Sequence, residues 1–253
     1  MTIYQITFSP TGGTQRVADR LAESMSEAYI SVDLCDPHFS ADQLSLTAED
    51  LCIVSVPSFG GRVPALAAER MAALTGNGAM AVPVAVYGNR EYEDTLIEMK
   101  NILAGQNFRC IAAVAAIAEH SMLRQYAAGR PDADDLTELS DFAKRIAEAV
   151  SAGSVSSDLS VPGNFPYRQM GAFLKPEVTE DCMGCGVCAD MCPAGAISAD
   201  NPQETNPDAC ISCVRCVSLC PVQARRLNPA TLEAVNARIG KALSGYKKNE
   251  LFI

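Results

Sequence analysis

Eight of the eleven cysteines form two copies of one spacing, Cys-x2-Cys-x2-Cys-x3-Cys-Pro. The first copy spans residues 182–193 and the second spans residues 210–221. Thiolates at this spacing typically bind [4Fe–4S] clusters, and in two-cluster proteins the fourth cysteine of each run binds the other cluster. The two runs therefore predict a pair of cubane clusters whose chemistry is the movement of electrons.

The repeat also predicts how the ligands are shared. Three closely spaced cysteines surround three corners of one cubane, and the fourth ligand comes from the other run. The two predicted ligand sets are Cys182, Cys185, Cys188 and Cys220 for the first cluster, and Cys210, Cys213, Cys216 and Cys192 for the second. Zinc is an alternative because it also uses Cys-x2-Cys pairs, but the third cysteine and the Cys-Pro ending fit zinc poorly. A purely structural role for the clusters is the other alternative.

Composition limits the remaining possibilities. The chain has 253 residues, of which 48% are hydrophobic, and this suits one medium-sized α/β domain with a small appendage. A disulfide framework belongs to short secreted chains. Cys35, Cys52 and Cys110 lie in apolar or strand-like surroundings and are predicted to be buried small hydrophobes.

The start of the chain and its charge suggest a location and a type of partner. The first residues lack the pattern of a secretory signal, and the longest apolar run, residues 112–118, is too short to cross a bilayer. We therefore expect a cytoplasmic protein without membrane insertion. The formal net charge of −10 argues against nucleic acid binding and favours docking to basic patches on redox partner proteins, although an ordinary acidic protein would show the same balance.

Residues 1–150 alternate between strand-like and helix-like stretches. Such alternation predicts a parallel sheet with helices on both faces. The strands are expected at residues 3–8, 30–34, 51–56, 82–87 and 109–117, and the helices at residues 12–28, from about 64, at 93–103 and at 132–149. Proline cannot donate to a central ladder, so Pro83 is expected among the first residues of its strand.

The later part of the chain divides into three segments. Residues 151–177 are rich in Ser, Gly and Pro and predict a linker, whose Phe165, Tyr167, Met170 and Phe173 are expected to pack on the domains. Residues 178–228 hold the cysteine runs. Residues 229–253 predict a helix near 229–243 and an apolar-tipped tail that docks back.

A second group of residues lies where the first strand meets the first helix. Residues 9–14 read Ser-Pro-Thr-Gly-Gly-Thr, and such hydroxyls and backbone N–H groups at a helix N-terminus form an anion cradle. The segment matches neither a dinucleotide fingerprint nor a Walker loop, and a helix cap with a tight turn is the alternative. Glycine-bearing loops at residues 57–62 and 87–92 follow the third and fourth strands, at the sheet edge where open α/β sheets bind ligands.

In these three loops the sequence resembles flavodoxin. The resemblance implies a five-stranded parallel sheet in the order 2-1-3-4-5 and a bound FMN. Its phosphate would be held by Ser9, Thr11, Gly12, Gly13 and Thr14. Its ring would be lined by Pro57, Ser58, Phe59, Gly60, Gly61, Tyr87, Gly88, Asn89 and Tyr92, with Phe59 and Tyr92 as the stacking candidates. The chain departs from the family in having no tryptophan and in reading Gly-Asn-Arg-Glu-Tyr where many flavodoxins have a Gly-Asp-Gln type of loop.

The whole chain resembles the flavodoxin–ferredoxin fusion proteins of anaerobic bacteria and archaea. The implied fold is a flavodoxin-like α/β domain over residues 1–150 followed by a small two-cluster ferredoxin-like domain. The implied function is electron transfer between two [4Fe–4S] clusters and FMN, with one-electron and two-electron steps interconverted. No side chain is assigned a catalytic role, and His120 is expected to be structural. The sequence sets neither the donor, nor the acceptor, nor the oligomeric state.

Two alternatives to the carrier remain. The first is an FMN-dependent small-molecule reductase fed by its own clusters, which would be an oxidoreductase enzyme. An open flavin face beside Arg62, Arg90 or His120 would favour the reductase, whereas a ring covered by Phe59 and Tyr92 would favour the carrier. A redox sensor acting through residues 251–253 ranks last.

Overall fold

The computed structural model describes residues 1–155, 158–169 and 174–253. Strands and helices alternate through the first 150 residues, and the elements there are β1 (Ile3–Thr7), α1 (Gly13–Met25), β2 (Ile30–Asp33), β3 (Leu51–Pro57), α2 (Ala65–Ala72), β4 (Met80–Tyr87), α3 (Thr95–Gly105), β5 (Arg109–Cys110), β6 (Ala113–Ile117) and α4 (Ala133–Ser151). A short 3-10 helix covers Ala41–Gln43. The rest of the chain adds β7 (Glu177–Val178), α5 (Val187–Asp190), α6 (Arg215–Leu219), β8 (Arg225–Arg226), α7 (Pro229–Leu243) and β9 (Glu250–Phe252).

The central sheet has the predicted strand order. Its parallel strands run β2-β1-β3-β4-β6, which is 2-1-3-4-5 when β5 and β6 are taken as two halves of the fifth strand. This is the flavodoxin-like doubly wound order. The fold class predicted from the sequence is therefore confirmed.

Hydrophobic cores cover both faces of this sheet because its central strands are apolar on both sides. Every residue of β4 and β6 is buried. On one face α1 and α4 pack on the strands through residues such as Leu21 and Phe142. On the other face α2 and α3 do so through residues such as Met71 and Met99.

Pro83 does not lie where the sequence placed it. It is the fourth of eight residues in β4 and pairs with Val54 of β3. The neighbouring strand is interrupted there: β5 pairs with Met80 and Ala81, and β6 begins its pairing at Val84. Because proline has no N–H to donate, the expected continuous strand at 109–117 is split into two.

The C-terminal tail adds an antiparallel edge strand to the sheet. In β9, Phe252 pairs with Ala113 and Glu250 pairs with Ala115 of β6. Just before β9, the side chain of Asn249 accepts a hydrogen bond from the Ile117 N–H at 2.9 Å and donates to Asp135 and Glu138 on α4. The tail docks back as the sequence predicts, but as a strand of the first domain's sheet.

The described part of the linker also packs on the first domain. Asp94 accepts hydrogen bonds from the backbone N–H groups of Asn164 and Arg168 at 2.8 and 2.7 Å. The guanidinium of Arg62 lies over the Tyr167 ring at 4.8 Å, whereas Phe165 is 78% exposed and touches Tyr167 edge-on. Met170 and Phe173 lie outside the described residues.

Within the described ranges, no helix combines the length and the hydropathy of a membrane-spanning segment.

Candidate functional site

The loop after β1 has the geometry of an anion site. Gly12 has φ +89°, a left-handed conformation that glycine adopts without cost, and it is the N-cap of α1. Having no side chain, Gly12 itself caps none of the first N–H groups of the helix, and the first turn contains no acidic residue. Ser9 Oγ accepts from the Gln15 N–H at 2.9 Å, which ties the loop to the helix. The positive end of a 13-residue helix, with the N–H groups of Gly13 and Thr14 before Gln15, favours a phosphate.

A cavity of about 760 Å³ opens from this loop. Its volume lies within the range of small-molecule and cofactor sites. Three of its walls are the loops after β1, β3 and β4. The predicted residues that line it are Thr11, Gly13, Thr14, Pro57, Ser58, Phe59, Gly60, Tyr87 and Gly88.

Five predicted residues do not line the cavity, namely Ser9, Gly12, Gly61, Asn89 and Tyr92. Ser9 and Gly12 belong to the predicted phosphate loop and shape it through the Gln15 hydrogen bond and the left-handed N-cap. Gly61 has φ +84°, a conformation that other residues rarely adopt, and an added Cβ would also meet the Glu93 side chain, so glycine is favoured there. Asn89 is buried and donates to the carbonyls of Leu243 and Gly245. It therefore anchors the segment between α7 and the tail.

Tyr92 packs inside the first domain. It is 7% exposed, meets Tyr87 edge-on with 5.1 Å between ring centroids, and donates through its hydroxyl to Glu250 at 3.1 Å. Burial, reinforced by the charge of Glu250, raises the pKa of Tyr92. Phe59 is therefore the stacking candidate that the structure brings to the cavity, and Tyr92 is not.

Of the polar residues considered beside the flavin, two reach the cavity. Arg90 lines it while paired with Glu93, and His120 lines it as well. The Nδ1 atom of His120 accepts from the N–H groups of Met122 and Leu123, and burial lowers its pKa, so the ring is neutral at pH 7. Arg62 lies elsewhere, bound to Glu98 at 2.7 Å.

The fourth wall of the cavity was not foreseen. It consists of the loop after β6, part of the linker, one face of α7 and one cysteine of the second run. Its members are residues 118–123, Arg168, Leu174, Cys213, Thr231, Ala234, Val235, Arg238 and Ile239. Helix α7 is held over the site because Tyr126 of the loop donates to Asn236 at 2.7 Å. The apolar spacing of Val235 and Ile239 indicates a packed face, but nothing in the sequence says what that face covers.

The second predicted ligand set converges in space. A small cavity is lined by Cys192 of the first run and by Cys210, Cys213 and Cys216 of the second. Burial raises the pKa of Cys213 to about 12, and the thiols of Cys216, Cys192 and Cys210 contribute to this shift. Burial likewise raises the pKa of Cys216 to about 11. Four thiols around one pocket form a donor set that fits a cubane, including the ligand borrowed from the other run.

The first predicted ligand set lies nearer the surface. Cys185 is exposed, and Cys182, Cys188 and Cys220 are partly buried. Cys220 Sγ accepts from the Ala224 N–H at 3.2 Å, just as Cys192 Sγ accepts from the Ala196 N–H at 3.3 Å. Burial acts to raise the pKa of Cys220, but backbone N–H groups outweigh it and lower the pKa, which favours the thiolate.

The two runs are packed together through their short helices, α5 and α6. Within the described ranges, no three His, Cys, Asp or Glu side chains converge closely enough to hold a single metal ion. A cubane offers a separate iron to each thiolate, so its ligands need not converge on one point.

The remaining three cysteines belong to neither run, although the Cys35 thiol lies close enough to Cys213 and Arg215 for these groups to affect its pKa. Cys35 and Cys52 are buried and Cys110 is half-buried. Burial raises the pKa of all three thiols, to about 12 for Cys52 and about 11 for Cys110. They are inert hydrophobes, as the sequence indicates.

The cysteine-bearing region is similar to known iron–sulfur proteins. Residues 181–224 match the family model of the 4Fe–4S dicluster domain. Ferredoxin Fdx2 of Sorangium cellulosum (strain So ce56) is 36% identical over 73 residues, which cover 26% of this chain and 72% of that protein. The chain therefore belongs to the dicluster 4Fe–4S ferredoxin family and, because its first 150 residues have the flavodoxin-like strand order, is a flavodoxin–ferredoxin fusion protein.

Solved flavodoxin structures are similar to the first domain. A flavodoxin of Streptococcus pneumoniae TIGR4 is 19% identical, covers 58% of this chain and 99% of that one, and has a TM-score of 0.43. Flavodoxin 1 of Bacillus cereus is 14% identical, covers 58% and 98%, and has a TM-score of 0.39. The flavodoxin-like fold is established by this chain's own strand order, and the iron–sulfur domain gives the protein a redox function.

Proposed function

We propose that this protein is an electron carrier that holds one FMN and two [4Fe–4S] clusters and passes electrons between them. The observation that carries the proposal is the position of Cys213. This cysteine lines the cavity shared by the three flavin loops and also lines the pocket of the second ligand set. One thiolate would thus connect the two cofactor sites.

The residues present fit the two kinds of cofactor. The N-terminus of α1, with Gly13 and Thr14, would hold the phosphate, and Phe59 would contact the ring. The crossed cysteine sets would hold the clusters, with Cys192 and Cys220 exchanged between the runs. When bound, the flavin supplies two-electron chemistry and the clusters supply one-electron chemistry, so the protein would interconvert the two.

The chain's own contribution is to fix distance and exclude water. Arg215, which lies between Cys213 and Cys216, donates to the Ser9 carbonyl at 3.2 Å. Arg70 of α2 donates to the Pro193 carbonyl at 2.9 Å. With α7 over the cavity, these contacts would keep the cluster domain against the flavin loops, so no separate encounter would be needed.

A reductive titration tests the proposal. Anaerobic protein is titrated with dithionite while flavin absorbance and cluster electron paramagnetic resonance are recorded. A carrier of this kind takes up about four electrons per chain, two on the flavin and one on each cluster. Flavin-depleted protein should take up about two. The proposal would be contradicted if both preparations took up the same number of electrons. It would also be contradicted if the clusters and the flavin never exchanged electrons.

One observation favours the reductase as a second candidate. The cavity extends past the three flavin loops to Met122 and Arg238, beside the neutral ring of His120. Free volume in the cavity and the positive charge of Arg238, both beside the proposed flavin site, suit a small anionic substrate. Reduced protein that is reoxidised rapidly by a small molecule, in a manner lost in Arg238→Gln, would favour this candidate over the carrier.

A further inference from the structure

The two cysteine runs are alike in sequence but face different surroundings. Each residue of the first run corresponds to the residue 28 positions later, so Cys185 corresponds to Cys213. Cys185 is exposed, whereas Cys213 is 9% exposed and lines the flavin cavity. The Cys213 side of the second run therefore faces the interior of the molecule, whereas the Cys185 side of the first run faces solvent.

Exposed apolar side chains accompany the predicted ligands of the first cluster: Met183, Val187 and Met191 lie in the first run, and Val222 follows Cys220. Met183 is 67% exposed, and Val187, Met191 and Val222 are each more than a third exposed. In the second run, the residue that corresponds to Met183 is the half-buried Ile211, and Val187 is replaced by Arg215, which is bound to the first domain. We call Met183, Val187, Met191 and Val222 the cluster patch. Several exposed large apolar side chains close to the predicted ligands of one cluster indicate an interaction site.

Acidic residues flank the members of the cluster patch along the chain. Glu180 and Asp181 precede Cys182, Asp190 lies on α5, and all three are exposed. No Lys or Arg occurs between residues 176 and 200. An apolar centre with a rim of one charge sign suits a partner whose surface carries the opposite charge.

We propose that the cluster patch is the docking surface for an external one-electron protein that is basic around its own redox centre. Electrons would cross between that partner and the protein at the Cys185 side, and between the clusters and the flavin at the Cys213 side. The step at the Cys185 side moves one electron from a reduced cluster to the oxidised redox centre of the partner, so the cluster is oxidised and the partner is reduced by one electron each, with no bond made or broken and no proton released. This inference rests on the proposed function.

Cytochrome c, a basic haem protein, is the probe. Dithionite-reduced protein, freed of excess reductant, is mixed with ferric cytochrome c in a stopped-flow instrument, and haem reduction is followed at several ionic strengths. The test variant combines Glu180→Gln, Asp181→Asn and Asp190→Asn. The matched control combines Asp134→Asn, Asp141→Asn and Glu148→Gln on α4, which changes the net charge equally and whose residues are also exposed.

The second-order rate constant of the test variant should fall about tenfold or more at low ionic strength, because charge near the docking site steers association. The control should change less than twofold, and the difference should shrink at about 1 M salt. Equal loss in both variants would show that only net charge matters and would overturn the inference, as would no loss in either.

A second variant tests the apolar centre without altering charge. Met183→Gln should lower the rate constant at high salt, where steering is screened, while Ile30→Thr on the exposed edge strand β2 should not. An unchanged rate in Met183→Gln would remove the cluster patch from the docking surface.

Cofactor content separates this failure from a failure of the proposed function. Iron, sulfide and flavin are measured in every preparation, and electron exchange between clusters and flavin is recorded as above. Wild-type protein without these cofactors would refute the proposed function. The docking surface alone would be refuted by a different result: all variants contain their cofactors and exchange electrons normally between clusters and flavin, but the test and control variants reduce cytochrome c at the same rate.

Discussion

The guanidinium of Arg215 donates a hydrogen bond to the main-chain carbonyl of Ser9 at 3.2 Å. Arg215 lies between two cysteines of the second run, and Ser9 begins the predicted phosphate loop. The same guanidinium lies 3.9 Å from the Asp33 carboxylate, and its side chain is 12% exposed. One residue thus joins the two halves of the molecule at the point where their predicted cofactors meet.

Removing this connection should loosen the two domains. Arg215→Met keeps the apolar stem and loses the charge-assisted hydrogen bond, which is worth about 2 kcal/mol. The urea midpoint of the cysteine-bearing region should fall, and electron exchange between cluster and flavin should slow. Iron content is measured as well, because Arg215 lies between the predicted cluster ligands Cys213 and Cys216 and its replacement could disturb the cluster. Arg145→Met, at an exposed site on α4, is the control, and equal behaviour of the two variants would contradict the role of Arg215.

The phosphate loop can be tested by a nearly isosteric change. Thr14→Val removes the hydroxyl of a residue that lines the cavity in the first turn of α1. A hydrogen bond to a charged phosphate is worth about 1.5–3 kcal/mol, so the FMN dissociation constant should rise about tenfold or more. Flavin fluorescence during titration of flavin-depleted protein measures it. Thr137→Val on the exposed face of α4 should bind as tightly as wild type, and an unaffected Thr14→Val would remove this loop from the site.

The tail depends on Asn249. In Asn249→Ala the Ile117 N–H loses its acceptor, and an unpaired buried amide costs about 1–3 kcal/mol. Hydrogen exchange should quicken in β9 and in the facing residues of β6. Ser244→Ala, which loses only a local bond to the Lys241 carbonyl, is the control. Unchanged protection in β9 would contradict this account of the tail.

Acid should weaken the same region through Asp135. Burial acts to raise its pKa, but hydrogen bonds from Arg130, the Asp132 N–H and Asn249 outweigh burial and lower the pKa. A carboxyl whose folded pKa is lowered stabilises the fold above its unfolded pKa of about 3.9, and this contribution is lost as pH falls through the folded value. Urea unfolding between pH 7 and pH 3 should show this loss.

Two neighbouring variants test how the contribution of Asp135 to the free energy of unfolding changes with pH. Asp135→Asn should be less stable than wild type at pH 7 by about 3 kcal/mol, because the buried Arg130 loses its partner, and the difference should narrow towards pH 3. Asp134→Asn, at the exposed neighbouring position, should follow the wild-type curve. A constant gap between Asp135→Asn and wild type would contradict the titration of Asp135.

Local signals made much of the fold predictable. The helix expected at residues 229–243 has those ends in the structure, because Asn228 caps it and Pro229 occupies the first turn. The strand order followed from the loop resemblance. Pro83 was misplaced because neighbouring strands, rather than propensity, decide where a proline is tolerated.

The site was less predictable than the fold, since side-chain direction depends on distant segments. Asn89 and Tyr92 lie in the loop that the sequence assigned to the flavin, yet both face the tail, more than 150 residues away. Periodicity along one segment carries no information about such a partner. The α7 wall of the cavity escaped prediction for the same reason.

Quantifying cofactors in anaerobically purified protein tests the central claim most directly. Iron, acid-labile sulfide and flavin are measured against protein concentration, together with the ultraviolet–visible spectrum. The account predicts about eight irons, about eight sulfides and one FMN per chain. Zinc in place of iron, about four irons only, or protein that neither contains nor takes up FMN would contradict it.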